Sequence, residues 1–130
     1  MRVIFNDSID LGFAVATLIN GTVDRREIAD WTARVIDEVD DLPTYIYIML
    51  DMERYQGRGL HHEIGFTPAN GVDYDEELYY LREIAVHRGK EDFEYLGGKS
   101  PGSLGAVRKA YLDNLIKINF GFDVQLLPPL

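Results

Sequence analysis

The chain contains no cysteine. That absence removes disulfide staples, thiolate nucleophiles and every metal centre built on sulfur, and it fits a reducing compartment. Long apolar runs are missing too: nothing approaches the roughly 20 residues that a membrane-spanning helix requires. The opening Met1-Arg2-Val3-Ile4-Phe5-Asn6-Asp7 turns polar too early to supply the apolar region of a signal peptide. A soluble, cytoplasmic protein with no membrane partner is the expectation. Asn6-Asp7-Ser8 and Asn20-Gly21-Thr22 fit the glycosylation acceptor pattern, which has no meaning without export. Basic residues are scarce, with 13 Lys and Arg against 22 Asp and Glu and a net charge of -9. A field of that sign repels nucleic acid and attracts basic proteins.

Catalytic signatures are absent as well. His61-His62-Glu63 sets two histidines side by side, whereas zinc-protease histidines stand one helical turn apart so that both rings share a face. Adjacent rings point apart, and a polar loop titrating near neutral pH is the simpler reading. Gly98-Lys99-Ser100 ends like a phosphate-binding loop, but Phe93 stands where that loop needs its first glycine. No serine lies in a Gly-x-Ser-x-Gly context. Carboxylate pairs for acid and base chemistry are uninformative among 22 acids. The chain is therefore expected to be no enzyme, to hold no metal and to need no cofactor.

What is present suits a folded domain. A chain of 130 residues, 46% hydrophobic, buries enough surface for one core, so residues 1–130 are expected to form a single domain. Asp7 or Ser8 caps a helix through Ile9, Leu11, Phe13, Ala14, Val15, Ala16, Leu18 and Ile19, apolar on all sides like a central buried helix. Asp24 with Glu27 opens a second helix, in which Ile28, Trp31, Val35 and Val39 make one stripe opposite Arg26, Asp30, Asp37 and Asp41. Leu42-Pro43 marks the next boundary, and a third helix is expected over Thr44 to Tyr55. The run Thr44-Tyr45-Ile46-Tyr47-Ile48 also favours a strand, which would make the fold α+β.

Asp73 is placed to cap a helix carrying Tyr74, Leu78, Leu81, Ile84 and Ala85. Ser103 caps a last helix with Leu104, Val107, Tyr111, Leu115 and Ile118 on one face. The tail Phe120-Gly121-Phe122-Asp123-Val124-Gln125-Leu126-Leu127 suits a short extended segment packing on the body. The expected fold is an all-α bundle of about five helices.

Charge is unevenly placed along it. Residues 1–77 hold 16 acids and 6 bases, and residues 78–130 hold 6 acids and 7 bases. Asp37, Glu38, Asp40 and Asp41 are followed by Asp51 and Glu53 with no base in between, and a second group is Asp73, Asp75, Glu76 and Glu77. The second group lies at a helix start, where the macrodipole favours acids; the first lies toward a helix end, where it disfavours them. Asp30 and Glu38 flank Arg34 at helical spacing and would neutralise part of it. Tyr79 falls outside the Leu78, Leu81 and Ala85 stripe, so it either anchors an interface beside these acids or packs on a second core element.

With Ile28-Ala29-Asp30-Trp31 in an early helix and Asp40-Asp41-Leu42-Pro43 opening the next, the chain resembles small acidic helical immunity proteins of bacterial polymorphic toxins, including contact-dependent inhibition systems. Asp75-Glu76-Glu77-Leu78-Tyr79-Tyr80 is similar in character to the toxin-facing surface of nuclease-colicin immunity proteins. This chain is longer and sets its tyrosines within a predicted helix, so no residue role is carried across. The resemblance implies stoichiometric inhibition of a basic toxin domain, of nuclease type, through Asp37, Glu38, Asp40, Asp41, Asp51, Glu53, Asp73, Asp75, Glu76, Glu77 and Tyr79. An acidic adaptor in a cytosolic complex and a small metal-dependent enzyme using His61, His62 and Glu63 are the alternatives. The oligomeric state is left open.

Overall fold

Local signals set each helix, and two apolar clusters hold the helices together. The structure, a computed structural model, describes residues 3, 4, 7–50, 64, 65, 68, 76–89 and 104–124. The first helix, α1, spans Ile9–Ile19. Ser8 occupies its N-cap position, but the expected side-chain capping bond is not made. Leu11, Phe13, Ala14 and Val15 are all buried, as suits a helix with apolar residues around its circumference. Leu11, Ala14 and Val15 enter one cluster while Phe13 enters the other, so α1 lies between them. The helix stops where Asn20 Nδ2 donates to the Ala16 carbonyl at 2.8 Å and Gly21 turns to a φ of 75° that side chains resist.

The second helix, α2, spans Arg25–Glu38 and opens with the expected capping box. Asp24 Oδ1 accepts from Glu27 N at 2.8 Å, and Glu27 Oε1 accepts from Asp24 N at 3.1 Å. Ile28, Trp31 and Val35 point into the first cluster, and Val39 packs against it. Pro43 caps the next helix, α3, over Thr44–Ile48, so the segment that favoured a strand is helical. Ile46 and Met49, three apart, are fully buried in the first cluster. Docking one side of a helix against α2 gains more than β-propensity opposes here. Residues 51–55 of the expected longer helix lie outside the described residues.

The fourth helix, α4, spans Glu76–His87 and the fifth, α5, spans Ala106–Phe120. Tyr80, Leu81 and Ile84 join Phe13, Leu112 and Ile116 in the second cluster. Asp73 and Ser103, the expected caps, lie outside the described residues; Gly105 is the N-cap residue of α5. The face of α5 differs from the expected one. Leu112, Ile116 and Asn119 are buried, with Leu115 partly so, while Val107, Tyr111 and Ile118 are exposed. Polar contacts explain the rotation: Asn119 accepts from Trp31 of α2, and Arg108 reaches Glu77 of α4, so α5 turns a partly polar side inward.

Among the described residues every regular element is a helix, and the fold is all-α. A single bridge pairs Ile4 with Asp7. After Gly121 the chain to Val124 has no regular structure, and Phe120 and Phe122 pack against both clusters.

Candidate partner-binding surface

The polar contacts between helices decide which charges are left for a partner. Arg88, at the end of α4, joins four parts of the fold. Its guanidinium meets Glu27 of α2 through two bonds of 3.0 and 2.6 Å, donates to the Thr22 carbonyl at 2.7 Å, and lies 3.7 Å over the Phe122 ring. Glu27 thus serves a cap and an ion pair together. Sequence reasoning missed this hub, because a pair 61 positions apart leaves no local signal.

Arg34 has a different task from the one its helical neighbours suggested. Its Nη2 donates to the carbonyls of Ile118 and Asn119, closing the C-terminus of α5. Among the described residues, neither Asp30 nor Glu38 forms an ion pair with it. Beside this clamp, Trp31 Nε1 donates to Asn119 Oδ1 at 3.0 Å, and Asn119 Nδ2 donates to the Leu115 carbonyl at 2.8 Å.

Asp37 and Glu38 therefore occupy the last turn of α2 with no base in that turn, and both are exposed. Asp40 and Asp41 follow in the link to α3 and are exposed too. None of the four is ion-paired among the described residues. Asp41 has a φ of 56°, in the left-handed region that aspartate tolerates better than most side chains. Six residues further on, Tyr47 is 52% exposed, and Leu50 is exposed after it. This corner joins four carboxylates with two apolar side chains.

The second acidic group divides. Glu76 is exposed in the first turn of α4, but Glu77 is 2% exposed and pairs with Arg108 through both oxygens, so it belongs to the interior. Its expected place on a partner-facing surface is corrected accordingly. Leu78 packs on the second cluster, and Tyr79 is half-buried with the Arg82 guanidinium 5.6 Å over its ring. Asp51, Glu53, Asp73 and Asp75 lie outside the described residues, as do His61, His62 and Glu63.

Two shallow clefts adjoin the clamps. One, about 130 Å³, is lined by Glu27, Asp30, Trp31, Arg34, Asn119 and Phe120. The other, about 260 Å³, is lined by Ile84, His87, Arg88, Phe122, Asp123 and Val124. Both fall below the roughly 300 Å³ at which small-molecule pockets begin, and their arginines already bond within the fold. Among the described residues no three His, Asp or Glu side chains gather as metal ligands. The Tyr80 hydroxyl donates to Asp113 Oδ1 at 2.5 Å; burial first, and then that carboxylate, hold its phenol well above the ordinary tyrosine range. That arrangement fixes α4 to α5 and offers no proton at neutral pH.

No described helix is long and apolar enough to cross a membrane. No protein-family model, characterised protein or solved structure matches the chain.

Proposed function

We propose that this protein is an immunity protein, which captures a basic toxin domain one-to-one in the cytoplasm through the acidic corner at the end of α2. One observation carries the reading: Asp37, Glu38, Asp40 and Asp41 stand exposed and unpaired among the described residues, at a helix end where the dipole disfavours them, while Arg34 is engaged at α5. Acids placed against the helix dipole, with no compensating base, weaken the fold, and an interaction role accounts for them. A nuclease toxin carries cations around its phosphate-binding cleft. An acidic corner complements that cleft and steers encounter toward rates of about 10⁸ to 10⁹ M⁻¹s⁻¹ at low salt. Tyr47 and Leu50 supply the apolar contact that slows release. Glu76 extends the acidic surface; Glu77 does not.

The test is co-production with the C-terminal domain of a large secreted protein encoded beside this gene. Rescue of growth and a one-to-one complex on co-purification support the reading, and reversing Asp37, Asp40 and Asp41 to lysine then slows association and flattens its salt dependence. A toxic domain that stays toxic beside soluble protein sinks it.

A further inference from the structure

Helix α5 has a second side that the fold leaves uncovered. Val107 is 87% exposed and Ile118 59% exposed, and Tyr111 and Asn114 between them are exposed as well. The four follow one another at spacings of four, three and four, so they form one stripe with the seam spacing of a two-stranded helical pair. No charged residue occupies a seam position. Tyr111 is already held in place, because the Arg108 guanidinium that pairs with Glu77 also lies 4.5 Å over its ring. A side chain ordered in advance loses little freedom on docking.

We propose that this stripe is the contact with a second copy of the chain, the two α5 helices running antiparallel about a two-fold axis between Tyr111 and Asn114. The distribution of charge selects that occupant. Residues 1–77 hold 16 acids and 6 bases, whereas residues 78–130 are nearly balanced at 6 and 7. A chain of net charge -9 can meet its copy at α5 without opposing two like fields. Helix α5 itself carries Arg108, Lys109 and Lys117 against Asp113, so a basic protein drawn to the acidic corner is turned away here.

The two-fold operation sets Val107 against the second copy's Ile118 and Tyr111 against its Asn114, where a phenol and a carboxamide can hydrogen-bond. It aligns the helix dipoles head to tail. The flanking residues are Arg108 and Leu115 on one edge and Ala110 and Lys117 on the other, so no flanking cation faces another. The stripe is one helix wide, less than the roughly 800 Å² per partner of a standard stable interface, which places dissociation on the order of 10 to 100 µM. This contact leaves both acidic corners outward and is independent of the immunity reading.

Sedimentation equilibrium of the full chain tests it, from about 10 µM to about 1 mM, a range that brackets the expected dissociation constant. Runs at about 50 and about 500 mM NaCl separate apolar from ionic contact. The expected result is a mass rising from 14.8 kDa toward twice that value, more readily at high salt. Val107→Glu and Ile118→Glu, both at solvent-facing positions, each weaken association by about tenfold or more while keeping the wild-type helical circular dichroism. A wild type that stays monomeric throughout overturns the proposal, as do variants that dimerise undiminished. Open-ended polymers that dissolve in salt also overturn it, since they mean acidic corner against α5.

Discussion

Replacing Asp37 and Glu38 with Asn and Gln should make the protein more stable. Both carboxylates sit in the last turn of α2, where the exposed carbonyls concentrate partial negative charge and no base offsets it. Each unfavourable charge at such a position costs about 0.3 to 1 kcal/mol at low ionic strength, and exposure favours the lower end. The double variant is therefore expected to gain about 0.5 to 1.5 kcal/mol, including relief of repulsion from the neighbouring Asp40 and Asp41. For a chain of this size that is a rise of about 2 to 6 °C in Tm. Thermal melts followed by circular dichroism at about 20 mM salt would read it, and most of the gain should disappear near 0.5 M, where screening acts within about 4 Å. The same variant should bind a basic partner more slowly. Unchanged or lower stability at low salt would refute the reasoning, because the acids would then not be opposed by the fold.

Three further outcomes follow from the interior. Asn119→Leu leaves the buried Trp31 indole N–H without an acceptor and should cost about 2 to 3 kcal/mol in urea unfolding, read by the fluorescence of the sole tryptophan; a loss below about 0.5 kcal/mol would contradict the docking of α2 on α5. Glu77→Gln leaves the Arg108 charge without its carboxylate at an interior contact and should cost about 2 kcal/mol of stability, yet leave partner association unchanged once folded protein is compared; altered association of the folded variant would return Glu77 to the binding surface. Tyr80 ionises in the folded state only well above its unfolded pKa of about 10, so the unfolded chain releases that proton first. Stability from this group is complete below pH 10 and is lost as pH rises beyond it, by up to about 1.4 kcal/mol per pH unit. Tyr80→Phe should flatten that decline in urea titrations between pH 9 and about 11.5, and an equal slope in both proteins would show that Tyr80 is not held this way.

Short-range patterns were legible where the physics is local. The capping box at Asp24 and Glu27, the Ile28-Trp31-Val35 stripe and the stop at Asn20-Gly21 each depend on residues within a few positions, and each stands as the sequence predicts. The helix at Thr44–Ile48 was harder to read, because β-branched and aromatic residues suit a strand until Ile46 and Met49 find one wall to pack on. The inner face of α5 was misjudged for a related reason. Apolar counting selects Val107, Tyr111 and Ile118, while the structure turns in Asn119 because Trp31 supplies a donor 88 positions away. Among the candidate binding residues, Asp37, Glu38, Asp40, Asp41 and Glu76 are exposed as expected, and Glu77 is not, since only the tertiary fold brings Arg108 to it.

These long-range polar contacts explain both surfaces at once. Arg34, Arg88 and Arg108 could each have neutralised an acid on the surface or covered an apolar edge. Instead Arg34 closes the C-terminus of α5, Arg88 ties Glu27 to Thr22 and Phe122, and Arg108 holds Glu77. With those cations engaged between helices, the acids after Val35 keep their full charge outward. With Asn119 and Arg108 turned to the inside of α5, Val107 and Ile118 are carried to the outside. An exposed acidic corner and an exposed apolar stripe are thus consequences of one choice, in which polar side chains join the helices and apolar and acidic ones are left to meet other molecules.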